Sequence, residues 1–448
     1  MTRERAAGLP RDPVRSIADA VLYEGYNLYP YRPTATKNRQ RWTFGGVFPQ
    51  TFSLQIGGDP WTMRTECLLE AGPDARVAIQ VRFLHVINRE IRGPLPGRET
   101  DPDASRPVAL LEVDGRQFRP WEEAVEREVD AVAASLADLV ADSQRTDFAF
   151  AQSDEREILR DAAGRPVGAI ARAGHALEGA VVVSAAEIVP RLYRLAVVIE
   201  NTTALTHDEC ENRARAQAGA FASTHAILRI EGGDFVSLTD PPPALAGAAR
   251  ACVNEGCWPV LVGAEGARDT LLASPIILYD YPQIAPESPG DLFDGAEIDE
   301  ILTLRILTMT EAEKREAAAA DPRTRAMLER TEALTEGDMA RLHGALRSPD
   351  AFPKPALASL SSGGQALSVG QRVRVNPKPG GDVWDIVLAG KVAIIEAIER
   401  DFEDRVHVAV TIEDDPGRDL GEGRFPGHRF FFSREELEPL DLAAEASP

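Results

Sequence analysis

The run RVAIQVRFLHVINREI (76–91) alternates apolar and polar side chains, and a chain with that period can bury one face only as an extended strand. TFSLQIGG and TECLLEAG come before it, set off by Gly58-Asp59-Pro60 and Gly72-Pro73-Asp74, so residues 52–91 predict antiparallel strands joined by turns. A Pro- and Asp-rich connection follows over 93–107. In PWEEAVEREVDAVAASLADLVA (120–141), Val125, Val129, Val132, Leu136 and Leu139 recur at spacings of three or four. That predicts an amphipathic helix with Pro120 near its start. Strand texture returns at 167–171 and 180–200, with Gly164-Arg165-Pro166 as a hairpin turn. The economical reading of 51–235 is an antiparallel β-sandwich with a helical insertion.

From 256 the pattern changes to short strands (WPVLVG, SPIILYDYPQI) and then to well-punctuated helices over 295–347. Asp294 with Glu297 and Thr310 with Glu313 match capping boxes, in which a side-chain oxygen and an acid three residues later satisfy helix N–H groups. Asp321-Pro322 and Thr335 mark further helix starts. Residues 348–365, rich in Pro, Ser and Gly, offer no apolar face and read as a linker. Beyond it LSVGQRVRV, GKVAIIEAIE and RVHVAVTIE alternate with period two, and GHRFFFSREELEPL ends the chain in a strand and a helical turn. This piece, 366–448, predicts a small, partly open SH3-like β-barrel. The expected architecture is a multidomain α+β protein: an aromatic and basic arm (1–50), the sandwich (51–235), an α/β region ending in helices (236–347), the linker and the barrel. No internal repeat is present.

The chain has 448 residues, with 49 Lys+Arg against 71 Asp+Glu, a formal charge of −22 that opposes general binding to polyanions. No apolar run is long enough to span a membrane, and MTRERAAGLPRDPVRS lacks the apolar stretch of a secretory signal, so a cytoplasmic protein is expected. Cys67, Cys210, Cys252 and Cys257 lie in strand-like or helix-like contexts and are expected to be free, mostly buried thiols.

Against this acidic background, LYEGYNLYPYRPTATKNRQRWTFGG (22–46) gathers Tyr23, Tyr26, Tyr29, Tyr31, Trp42 and Phe44 with Arg32, Lys37, Arg39 and Arg41. Guanidinium groups stack on rings, and both residue types are enriched at interface hot spots. Such a strip suits a protein-docking surface, with Tyr26, Tyr29, Tyr31, Arg32, Arg39, Arg41 and Trp42 as contacts. It equally suits an arm whose rings pack onto its own sandwich. An aromatic and basic strip also binds single-stranded nucleic acid, but the rest of this chain would repel it. A second docking candidate is the long polar loop between strands at 413–429, with Glu413, Asp414, Asp415, Arg418, Asp419, His428 and Arg429. Its acids likewise argue against an RNA-binding barrel.

Metal chemistry has weaker candidates. Glu287, Asp291, Asp294, Glu297, Asp299 and Glu300 cluster around a helix start, where acids also complement the helix dipole. No fixed-spacing calcium loop is present. Asp280, Glu287, Asp291 and Asp294, joined by His225, define an alternative reading as a magnesium- or manganese-dependent hydrolase or metal-handling enzyme. His207, Asp208 and Cys210 fit a capped helix start better than a zinc site, because no second ligand pair follows. Cys252 and Cys257 are separated by four residues where redox pairs use two, and GAEGARDT lacks the spacing of phosphate loops. Neither G-x-S-x-G nor H-E-x-x-H occurs.

Three stretches, YEGYNLYPYRPTATKNRQRWTFGG, SPIILYDYPQIAPESPGDLFDGAEIDEILTLR and DDPGRDLGEGRFPGHRFFFSREELEPL, resemble uncharacterised proteins encoded near [NiFe]-hydrogenase subunits and maturation factors in soil bacteria. The C-terminal piece also resembles a tail on some hydrogenase maturation proteases. The resemblance implies an accessory or assembly protein of a hydrogenase system, without a cofactor of its own. It carries no protease activity with it, since a shared module does not transfer a function. The paired C-x-x-C and the nucleotide loop that the chemistry of such a system needs are not in this sequence. The expectation is therefore a non-catalytic protein that docks hydrogenase subunits or maturation factors.

Overall fold

The computed structural model describes residues 12–35, 38, 41–42, 44–95, 97, 105–285, 288, 290–293, 299–335, 337–338, 359–360, 367–376, 388–400, 406–414 and 430–440. It is a mixed α+β protein built mostly of antiparallel sheets, divided into two compact units, Met1–Ala345 and Leu346–Pro448. The strands of the first unit are β1 (Thr62–Pro94), β2 (Ser105–Pro107), β3 (Leu111–Val113), β4 (Arg116–Phe118), β5 (Trp121–Ser135), β6 (Gln144–Phe150), β7 (Ser153–Arg160), β8 (Pro166–Gly174), β9 (Leu177–Val189), β10 (Leu192–Asn201), β11 (Phe221–Val236), β12 (Trp258–Leu261) and β13 (Thr270–Ser274). Its helices are α1 (Pro13–Tyr23), α2 (Gln50–Ile56), α3 (Leu136–Ala141), α4 (His207–Cys210), α5 (Arg213–Ala216), α6 (Ala246–Arg250), α7 (Asp299–Leu307), α8 (Glu311–Ala318) and α9 (Pro322–Glu332).

The alternating runs before Gly93 become one strand rather than a set of hairpins. β1 is 33 residues long and pairs with β11 on one side along both its halves. On the other side it pairs first with β10 and then with β5. Gly72-Pro73-Asp74 makes no turn. It bulges out of register between Ala71 and Arg76, where Pro73 owes no ladder hydrogen bond and Gly232 of β11 takes φ +81°. TFSLQI also departs from the strand reading: it is helical in α2, which Gly57 ends at φ +75°.

The larger correction concerns 120–141, where the expected helix is mostly strand. β5 pairs with β1 from Arg89↔Trp121 to Arg76↔Ser135, with one bulge near Ile79, and only Leu136–Ala141 is helical. The acids of β5 explain the choice. Glu123 pairs with Arg89 and Glu128 with Arg82, so cross-strand partners outweigh a local helix preference.

Beyond β10 the sheet continues through β9 to β6, and beyond β11 through β13 to β12. The β10–β9–β6 flap and β5 leave the same side of β1 and fold toward each other. Thr146 Oγ1 of β6 donates to Ala131 O of β5. Both flaps share one core in which Phe83 stacks on Phe221 at 4.5 Å, with Phe148 and Phe150 beside them. α1 packs Val14, Ala18 and Val21 on the outer face of β11–β13. The hairpin at Gly164 forms as expected, joining β7 to β8 with Gly164 at φ +77°.

The helical run forms as α7, α8 and α9, while 295–298, 336 and 339–347 lie outside the described residues. Thr310 and Glu313 complete a reciprocal capping box, with backbone-to-side-chain bonds of 3.0 and 3.3 Å. Asp321 Oδ1 accepts from the N–H groups of Arg323 and Thr324, and Thr335 and Asp338 repeat the reciprocal pair. Asp294 and Glu297 lie outside the described residues.

In the second unit, β14 (Ser359–Leu360) pairs with β15 (Leu367–Ser368). A five-stranded antiparallel sheet holds β16 (Arg372–Val375), β17 (Val392–Arg400), β18 (Val406–Ile412), β19 (Phe430–Phe432) and β20 (Leu437–Pro439), in the order β19-β18-β17-β16-β20. It surrounds a core that includes Val373, Ile395, Val408, Val410 and Phe432. Among the described residues β19 and β20 do not pair to close it.

Candidate functional site

The structure turns the rings of the aromatic strip inward, with Tyr23, Tyr26, Tyr31 and Trp42 buried. Leu22, Tyr23, Tyr26, Tyr31 and Trp42 lie between the outer face of β1 and β5 and the helices α7–α9, where they form a second core with Leu84, Val86, Leu302, Ile306, Met327 and Leu328. Tyr26 lies edge-on to Tyr23, Trp42 and Phe293, with centroids 5.4 to 5.7 Å apart. Tyr31 is fully buried and its hydroxyl donates to Leu292 O at 2.8 Å. Trp42 Nε1 donates to Glu122 Oε2 at 2.8 Å. Tyr31, Trp42 and Phe293 all take φ near +60°, a conformation costing a bulky residue on the order of 1–3 kcal/mol, which the surrounding packing must hold in place.

Arg41 is 3% exposed. Its guanidinium carbon lies 3.6 Å from the Trp121 ring centroid and 4.7 Å from that of Trp42, and it donates to Tyr26 O and Glu122 O at 2.6 Å each. Tyr26, Tyr31, Arg41 and Trp42 are therefore not a docking surface. The stacking that would grip a partner is satisfied within the chain. Arg32 reaches Glu313 at 3.1 Å and Arg305 lies over the half-buried Tyr29, so these two also tie the arm to the helices. Lys37, Arg39, Arg418 and His428 lie outside the described residues, as does 415–429. At the start of that loop, Glu413 accepts from Arg372 at 2.8 Å.

Among the described residues, Asp280, Asp291 and His225 are not brought together as metal ligands. Asp280 accepts from Ser237 Oγ, Thr239 Oγ1 and Leu261 N within 2.8 Å, which makes it a brace between the β12 edge and the strap after β13. Asp291 and Asp299 line a cleft of about 210 Å³ beside Tyr23, Glu24 and Ser288. Ser288 Oγ donates to Asp299, and the Asp291 carbonyl accepts from Arg330 at 2.7 Å. Glu287 and Asp294 lie outside the described residues. Among the described residues no three His, Cys, Asp or Glu side chains form a metal-holding group.

His225 is fully buried on β11 beside Arg82 of β1, with Nδ1 3.0 Å from Ser223 O. Burial, reinforced by the charges of Arg82 and Arg15 against the Ser223 hydrogen bond, pushes it from 6.5 down to about 3. Because the folded pKa lies below the unfolded one, the unfolded chain binds the extra proton, and stability falls as pH drops below about 6.5. His85 is pushed down to about 4, chiefly by burial, and adds the same sign. His225→Asn is expected to flatten the fall in thermal midpoint between about pH 6.5 and 5. An unchanged slope refutes this assignment.

His207 and Cys210 sit in α4 behind a Thr206–Glu209 capping box, with Cys210 buried. All four cysteines are free. Burial raises the Cys252 thiol to about 11 and Cys257 to about 12, and Cys257 donates to Arg64 O at 3.3 Å, so neither is poised as a thiolate.

What sequence reasoning missed is a cation network and an exposed strap. Arg82 is wholly buried, yet it meets Asp19 at 2.7 Å, Glu128 at 3.1 Å and Glu126 at 3.7 Å. The strap follows β13 along the edge of β12. Ile276 and Leu278 pack inward on the α1 core, while Ile277 and Tyr279 stand outward at 72% and 85% exposure. Trp258 of β12 is 46% exposed, and Pro259 deprives that edge of an N–H. SPIILYDYPQI reads as a short strand, but its four consecutive apolar residues, Ile276 to Tyr279, do not reveal which face stays uncovered.

The fold and this surface define a two-unit, mostly antiparallel α+β protein with an apolar edge strap, and none of its described helices is long and apolar enough to cross a membrane. No family model matches the chain, and no curated protein matches it.

Proposed function

We propose that the chain is a non-catalytic accessory or assembly protein of a [NiFe]-hydrogenase system, docking a hydrogenase subunit or maturation factor in the cytoplasm. The observation that carries the docking reading is the exposed pair Ile277 and Tyr279. Tyrosine is a preferred interface anchor, and large apolar side chains held in solvent on an ordered segment cost nothing once a partner covers them. Free, mostly buried thiols suit a reducing compartment. Two finer readings of the fold accompany this. The folded-over sheet of the first unit is a β-sandwich whose layers share β1, supported by the single core between its flaps. The C-terminal sheet is a small SH3-like barrel, supported by five short antiparallel strands around one core.

The test is affinity purification of the tagged full chain from its native host, with recovered proteins identified by mass spectrometry. Wild type is expected to bring down hydrogenase subunits or maturation factors. Ile277→Ser/Tyr279→Ser is expected to lose them at an unchanged thermal midpoint. Recovery of no hydrogenase protein, or equal recovery by the double variant, rejects the proposal.

A further inference from the structure

We infer that the strap at 276–280 binds its partner by strand addition, taking up an extended, alternately apolar segment of a protein flanked by lysine or arginine. This deepens the docking reading above and rests on it.

Three observations lead there. First, the alternation of Ile276 and Leu278 inward with Ile277 and Tyr279 outward is that of an extended chain, anchored at one end where Tyr281 N donates to Leu261 O at 2.7 Å. Second, among the described residues no hydrogen bond engages the backbone of Ile277, Leu278 or Tyr279. The strap thus presents main-chain donors and acceptors beside exposed apolar side chains. An added strand uses that combination, with its main chain supplying affinity and alternate side chains supplying specificity. Pro275 and Pro282, which lack N–H groups, bracket the available length. Third, from Ser274 to Leu304 the sequence carries seven carboxylates and no lysine or arginine, in a chain of charge −22. That field attracts a basic segment and repels a second copy of this chain.

The probe is a synthetic peptide of alternating valine and threonine between two lysine pairs, added to the full-length protein. Amide hydrogen exchange at Ile277, Leu278 and Tyr279 is expected to slow about tenfold at saturation, as new main-chain hydrogen bonds protect these groups. The same peptide with alternate amides N-methylated keeps its side chains but cannot complete a ladder. It is expected to give no protection, and a glutamate-flanked peptide is expected to bind at least about tenfold more weakly. Equal protection by the methylated peptide overturns strand addition, and equal binding of the glutamate peptide overturns the basic partner. Protection that appears without peptide as protein concentration rises assigns the strap to a second copy and also overturns the inference. Hydrogenase proteins that co-purify with a chain indifferent to the peptide leave the accessory function standing and remove only this mode of binding. Peptide protection without hydrogenase co-purification does the reverse.

Discussion

Arg41→Ala is expected to destabilise the first unit by about 3–5 kcal/mol, read as a shift in the urea midpoint by tryptophan fluorescence, because Trp42 and Trp121 both flank the site. The figure has separable parts. Two short charge-assisted hydrogen bonds to Tyr26 O and Glu122 O are lost, each worth about 1.5–3 kcal/mol, and both carbonyls lose a donor in a region that water reaches poorly. The stack on Trp121 adds on the order of 1–2 kcal/mol for a desolvated cation. Against these runs the cost of burying the guanidinium, which holds its pKa below the ordinary arginine value despite the pull of Glu122. Arg41→Lys is expected to recover little, because an ammonium cannot reach both carbonyls in plane or stack on the rings. A loss below about 1 kcal/mol for the alanine variant would mean that the arm is not held as described.

Arg82→Ala should cost a similar about 3–5 kcal/mol at pH 7, since it withdraws a fully buried cation from Asp19, Glu126 and Glu128. Its pH dependence distinguishes it from an ordinary cavity. In the wild type, burial pushes the Glu126 carboxyl up, but hydrogen bonds from Tyr23 and Arg323 and the charges of Arg323 and Arg82 outweigh this and hold it below its ordinary value. A depressed carboxylate stabilises the fold above its unfolded pKa and loses that contribution as pH falls through the folded one. Removing Arg82 takes away part of the depression and leaves Asp19 and Glu128 with Arg15, and Glu126 with Arg323, as their remaining cations. The deficit of the variant relative to wild type should therefore shrink between about pH 5 and pH 3, where the carboxylates take up protons and the attraction to Arg82 is lost from the wild type. A deficit equal at both pH values would reduce Arg82 to a space-filling role.

These two arginines also show why the site was only half legible. RWTFGG announced that rings and guanidinium groups would meet, since stacking depends on residue type and proximity along the chain. The partner of Arg41 is Trp121, eighty residues away, and only the packing of β5 beside β1 brings it there. Stacking at an interface and stacking in a core use the same side chains, so composition cannot tell them apart. The same limit produced the helix expected over 120–141. Valines three and four apart favour a helix in isolation, but the arginines of β1 and the arm accept the acids of β5 as an extended neighbour.

Local chemistry was decided by sequence alone. The Thr310–Glu313 cap, the Asp321-Pro322 helix start, the Gly164 hairpin and the strand character of 76–91 each depend on groups a few residues apart, and each is present. What the tertiary structure decided is which faces are covered. Whether Gly72-Pro73-Asp74 turns the chain or merely bulges depends on β11 running past both sides of it. Whether Tyr31 or Tyr279 meets solvent depends on where α7–α9 and the β12 edge come to lie. Burial is a property of distant segments meeting, so a chain can write its own turns and caps while leaving the choice between core and surface to the assembled fold.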